Sequence, residues 1–206
     1  MTVRALAAFV VFWLALAAPL AACTRPALQP GPTINPVNID QTRLARAILA
    51  EVNYHRCRVQ LRELSYAGDA LTQSSQAHSV WMAQRKKLSH TGRGASGRKM
   101  TDRVRTARLT PRTASENIAY LPLFQFGRNS FRVVDRNACH FLDAAGDRIP
   151  SHSYATLARE VVTMWIDSPG HRRNILDRDV TAMSTGAAVS QSRACGDVWV
   201  TQIFVG

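Results

Sequence analysis

Two imidazoles and one carboxylate occupy the segments of this chain best suited to chemistry. They are His90 in Leu88-Ser89-His90-Thr91-Gly92, Glu116 in Ser115-Glu116-Asn117-Ile118-Ala119, and His171 in Trp165-Ile166-Asp167-Ser168-Pro169-Gly170-His171-Arg172-Arg173-Asn174-Ile175-Leu176. Each lies in or beside a turn-forming run, where side chains from distant segments can converge on a cleft. Together they can bind a divalent ion such as zinc or position water for proton transfer. Their separations, 26 and 55 residues, carry little information alone, and three scattered polar residues serve structure more often than chemistry. His78, between Ala77 and Trp81 on an apolar helical face, reads as a hydrogen-bonded core histidine. His55, His140 and His152 have no motif around them.

The elements that must position these residues follow from periodicity. Asp40 caps a helix in which Leu44, Ile48 and Val52 recur every fourth residue. A second helix is expected over about 69–87, with Leu71, Ser74, His78, Trp81 and Met82 on one face. A shorter one is expected over 100–108, burying Val104, and a fourth over 154–167 with Leu157, Val161, Met164 and Trp165 inward. Ser168-Pro169-Gly170 stops that helix. Val198 to Val205 is β-rich and almost continuously apolar, and 183–189 suits a neighbouring strand. Helices first and strands late predict an α+β domain.

The chain has 206 residues, 46% of them apolar, enough for one domain with a sizeable core. A charged content of 19% excludes disorder by composition. The net charge of +12 favours anionic partners. Four cysteines without a Cys-x-x-Cys pair exclude a disulfide-built miniprotein and a cysteine zinc knuckle. Walker, dinucleotide-fingerprint and G-x-S-x-G motifs are absent from the sequence.

The start of the chain is an address. Arg4, the apolar stretch 5–18 and the small residues before Cys23 form a secretory signal over 1–22, too short for a spanning helix. Leu20-Ala21-Ala22-Cys23 resembles a bacterial lipobox, in which the cysteine is acylated; a plain secretory signal and an uncleaved anchor remain open. Pro26, Pro30, Pro32 and Pro36 mark residues 23–39 as an extended tether, with the domain proper at 40–206. The protein is thus expected outside the cytoplasm, as a periplasm-facing lipoprotein or secreted. The export signal and the lack of a binding motif argue against nucleic acid as partner.

The order and wording of three segments resemble the CAP superfamily (cysteine-rich secretory, antigen 5 and pathogenesis-related proteins), in its bacterial SCP-domain branch. The resemblance runs from about Ile48 to Phe204. It rests on Ser-Pro-Gly-His-Arg-x-Asn-Ile-Leu and Glu-Asn-Ile-Ala, supported by Leu61-Arg62-Glu63-Leu64 and Val200-Thr201-Gln202-Ile203-Phe204. It implies a three-layer α-β-α sandwich around a central, mostly antiparallel sheet. It also maps His90, Glu116 and His171 onto cleft positions that line a divalent-metal site in some relatives. Many relatives carry a second cleft Glu three residues after the fourth-helix tryptophan, where this chain has Ser168. Any zinc would then have at most three protein ligands, and the excess of local cations predicts weak binding and no constitutive cofactor. The leading expectation is a binding module for an apolar or amphipathic ligand. The rivals are a metal-assisted hydrolase with Glu116 as base, and a structural envelope interaction protein.

Residues 121–153 form an insertion relative to compact relatives, with Phe124, Phe126, Phe131 and Phe141 and a hairpin pattern at 131–142. It reads either as an accessory hairpin or as an apolar flap over the cleft. Cys139 and Cys195 are the expected disulfide, stapling the insertion to the sheet; Cys57 is expected buried and free, with a pairing through it left open. Residues 85–112 hold ten Lys and Arg against one acid, Asp102. That run reads either as a solvated surface or as a contact to an anionic envelope surface.

Overall fold

The computed structural model describes residues 23–28, 31–127, 130–192 and 195–206; residues 1–22, expected from the sequence to be an export signal, lie outside them. Asp40 caps helix α1 (Gln41–Cys57) by accepting from the Arg43 N–H at 2.9 Å. A short strand β1 (Ser65–Tyr66) leads into α2 (Asp69–Arg85), and α3 (Met100–Thr106) follows a loop with one 3-10 turn at Gly94–Ser96. Strand β2 (Ala114–Pro122) precedes the insertion hairpin, β3 (Arg132–Asp135) and β4 (His140–Leu142). Helices α4 (Tyr154–Asp167) and α5 (Pro169–Ile175) and strands β5 (Ala182–Ser190) and β6 (Asp197–Val205) complete the domain.

The main sheet has the order β1-β5-β6-β2, with only the β1–β5 pair parallel. Helix α2 covers one face; α1, α4 and α5 cover the other. The result is the expected α+β three-layer sandwich. The α1/α4 layer holds the larger core, where Leu44, Ile48, Leu157, Val161 and Phe204 are fully buried. Gly186 of β5 lets α2 approach: a Cβ there would collide with the Gln76 backbone, and Ser79 Oγ donates to Gly186 O at 2.9 Å.

Five features depart from the sequence expectation. Ser168-Pro169-Gly170 ends α4 but also opens α5, since proline at the first helical position forfeits no hydrogen bond. Glu116 lies on strand β2, not in a turn. Met164 is 42% exposed, because the inward stripe of α4 runs through Leu157, Ala158, Val161, Val162 and Trp165 and leaves it on the flank. The described parts of 23–39 are no free tether. Ile34 is buried and its N–H donates to His152 O at 2.8 Å, while Arg25 pairs with buried Glu51 at 3.1 Å. Cys57 is not free: it is joined to Cys23. The sulfur that acylation at Cys23 requires is therefore engaged, and one sulfur cannot carry both bonds.

Cys139 and Cys195 form the second disulfide. It ties the insertion to the β5–β6 turn, where Leu123 N–H also donates to Gly196 O at 2.8 Å. Inside the insertion Phe126 stacks on Phe131 at 4.3 Å, and Phe141 meets Phe124 and Phe126 edge-on at 5.2 and 5.0 Å. Through Phe124, which also packs on the main core, these rings form one small aromatic cluster. It sits beyond the Pro122 end of β2, about 20 Å along the strand from Glu116 at the usual strand rise, and so is not a flap over that residue.

Candidate functional site

Side chains alternate along β2, so Glu116, Ile118 and Tyr120 share the α2 face while Asn117, Ala119 and Leu121 face the other layer. Glu116 is held from two directions. His90 Nδ1 lies 2.8 Å from its Oε1, and Arg103 donates to its Oε2 through Nε at 2.8 Å and Nη2 at 2.6 Å. Arg103 is wholly buried, and its remaining donors go to Ser96 O at 3.0 Å and His90 O at 2.9 Å. The guanidinium thus neutralises Glu116 and fixes the loop that carries His90.

An ionised carboxylate only accepts, so His90 Nδ1–H donates in this pair and Nε2 is the ring nitrogen left over. The His90 side chain is 57% exposed. His171 stands in the first turn of α5, where burial and then the neighbouring His90 hold its pKa below the ordinary histidine value. Asn117 and Asn174 lock the junction. Asn117 Nδ2 donates to His171 O at 3.3 Å, and Asn174 Nδ2 donates to Glu116 O at 3.2 Å and Asn117 Oδ1 at 2.8 Å. Trp165 Nε1 donates to Ile118 O at 3.2 Å. Two carbonyls of this edge strand, those of Glu116 and Ile118, are thereby satisfied by side chains of the Trp165–Leu176 segment.

Arg103 is the residue that sequence reasoning missed, since it was counted with the surface cations. The signal was present: Met100, Arg103, Val104 and Ala107 fall at i, i+3, i+4 and i+7, one helical face. Asn117 and Asn174 were within the quoted motifs but had no role assigned.

His78 is fully buried, stacks on Trp81 at 5.8 Å, and places Nε2 2.8 Å from Ser89 O. With Nε2–H donating there, Nδ1 has no partner. Burial, and then the Arg103 charge, hold its pKa below the ordinary 6.5. A histidine of this kind takes up a proton on unfolding, so its contribution is intact above the unfolded pKa and is lost as pH falls below it. We expect the urea midpoint to drop between pH 7.5 and 5.5, and His78→Gln, although less stable overall, to flatten that slope. Equal slopes for the two proteins would refute the assignment.

A groove of about 640 Å³ runs beside the far half of β2, bounded by Tyr120, Pro122, Glu160 and Met164. Tyr120 is 50% exposed and stacks on Trp199 at 5.0 Å. Four residues of extended strand, about 13 Å, separate Tyr120 from Glu116 on the same face. Met164 and His171 lie on successive helices along the other side. Glu160 lies 3.2 Å from His152 Nε2.

The zinc site implied by resemblance does not fit these contacts. Glu116 spends both oxygens on His90 and Arg103, leaving His90 Nε2 and His171, one ligand short of a three-residue site. Among the described residues, no group of three His, Cys, Asp or Glu is placed to hold a metal.

The family model described as the cysteine-rich secretory protein family, CAP, matches residues 49–204. No curated protein matches the chain in sequence. Among solved structures, it is similar to an extracellular SCP-domain protein of Bacillus anthracis, at 20% identity and a TM-score of 0.54, over 85% of this chain and 45% of that one. It is also similar to an outer surface protein of Borrelia burgdorferi, at 14% identity and a TM-score of 0.51, over 81% of this chain and 96% of that one. This chain therefore spans less than half of the Bacillus protein, and both likenesses concern the fold.

Proposed function

Because the chain belongs to the cysteine-rich secretory protein (CAP) family, we propose that it is an exported cell-envelope binding module that takes an amphipathic ligand along the outer edge of β2. Two disulfides suit an oxidising compartment. Among the described residues no helix is long and apolar enough to cross a membrane. The observation that carries the reading is the pairing of two unlike ends on one strand. The polar end offers His90 Nε2 and His171; the apolar end offers exposed Tyr120 and Met164 over the groove. A ligand with a hydroxyl or carboxyl head and a chain of about ten carbons spans the distance between them, at about 1.25 Å per carbon against the strand rise.

The competing hydrolase needs Glu116 as a base. Both of its oxygens are already held, by His90 and by the buried Arg103, which favours the binding reading. The test uses the full mature chain and dodecanoate as probe, followed by tryptophan emission, since Trp199 lies under Tyr120. We expect saturable binding, weakened about tenfold by either Tyr120→Ala or His90→Ala, as loss of one good contact predicts. Saturable binding unchanged in both variants, or no binding at all, would overturn the proposal.

A further inference from the structure

The loop between α2 and α3 builds a second concavity, of about 400 Å³, walled by Trp81, Arg85, Lys87, Ser89, Thr91 and Arg93. We infer that this concavity is a binding site for an anionic saccharide, one sugar unit bearing a phosphate or carboxylate. The inference stands apart from the groove along β2, which it neither uses nor requires.

The charge run 85–112 is not uniform once folded. Arg103 is buried on Glu116, and Arg105 is paired with Asp102 at 3.3 Å. Arg85, Lys87 and Arg93 are exposed, and no carboxylate is paired with any of them among the described residues. All three converge on a single depression, where like charges are mutually unfavourable until an anion enters.

The neutral part of the lining points to a sugar. Ser89 Oγ and Thr91 Oγ1 lie 3.0 Å apart at the wall, a hydroxyl pair able to donate to and accept from ligand hydroxyls. Trp81 meets His78 on one side and contributes to the wall of the concavity, supplying the flat apolar surface that sugar C–H groups pack against. The loop is also fixed before any ligand arrives. His78 holds Ser89 O at 2.8 Å, Arg103 holds the carbonyls of His90 and Ser96, and Gly92 N–H donates to Arg98 O at 3.1 Å. Binding then incurs little ordering entropy, the usual obstacle for a flexible basic loop. A bare membrane surface would engage all exposed cations of the run alike; a concave site selects three of them.

The test titrates the full mature chain with glucose 6-phosphate, glucuronate and glucose, followed by amide chemical shifts. We expect both anionic sugars to saturate and shift residues 81–93, with glucose failing to do so. The two anionic arms tell phosphate from carboxylate as the preferred group. Arg85→Ala/Arg93→Ala should weaken binding about tenfold or more, as loss of two charge-assisted contacts predicts. Arg108→Ala/Arg112→Ala removes the same charge outside the concavity and should change affinity by less than about twofold. Equal losses in the two double variants would reduce the effect to diffuse attraction and overturn the inference. So would equal binding of glucose. Sedimentation with phosphatidylglycerol vesicles that neither excess glucose 6-phosphate nor Arg85→Ala/Arg93→Ala reduces would assign these cations to a membrane surface and overturn it too.

Discussion

Arg103→Leu lowers the unfolding free energy by about 3–5 kcal/mol, the cost of leaving one member of a buried ion pair without its partner. The partner is Glu116, whose side chain is only 3% exposed. The same substitution removes donors from Ser96 O and His90 O, so the loop holding His90 loosens as well. Arg103→Lys rescues little, because an ammonium cannot present Nε and Nη2 to one carboxylate oxygen while reaching two carbonyls. Removing both charges in Arg103→Leu/Glu116→Leu should recover much of the loss, since a buried ion pair and an apolar pair of similar volume are often near equal in stability. Urea unfolding followed by tryptophan emission measures all four corners of this cycle. A loss below about 1 kcal/mol for Arg103→Leu would mean that Glu116 finds water or another donor, and that the pair is not the keystone of the cleft.

Cys57→Ser is the second large effect. The Cys23–Cys57 bridge closes a span of 34 residues, which in the chain-entropy model contributes about 4 kcal/mol. Its loss also frees the strap whose Arg25, with Arg159, flanks buried Glu51. Non-reducing peptide mapping of the mature protein is expected to recover the peptide joining Cys23 to Cys57. Acylation at Cys23 predicts the opposite pattern: Cys57 alkylates without reduction, and the N-terminal peptide carries acyl mass. That second pattern, with membrane retention unaffected by Cys57→Ser, would return Cys23 to the lipobox reading.

Much of the frame was legible because its signals are periodic. The stripe Leu157, Val161, Trp165 marks an inward helix face, and the β-rich, almost continuously apolar run Val198 to Val205 marks a strand, which the structure buries on both sides. Strand β2 was not legible: Ala-Ser-Glu-Asn-Ile-Ala has no alternation of apolar and polar residues, because its inward Glu116 and Asn117 are buried with polar partners on other elements, Arg103 and Gln202. Helix α5 was hidden by Pro-Gly, which reads as a stop and here is also a start. The strap was hidden for a related reason. Four prolines suggest an extended chain, and an extended chain can still lie on a surface when Ile34 and Arg25 find their places there.

The position of β6 in the sheet sets the timetable of folding. It lies between β5 and β2, and Gln41 of α1 exchanges hydrogen bonds of 3.0 and 2.9 Å with Ala187 across 146 residues. A chain that emerges from its amino end therefore has helices but no sheet to pack them on until residues 197–205 arrive. Contacts of such long range make for slow folding with apolar faces exposed in the interval. Cys23 and Cys57 meet within the first helix and its strap and can oxidise early, whereas Cys139 must wait for the turn that presents Cys195. The two bridges should close in sequence order, and a trapped intermediate should carry the first without the second.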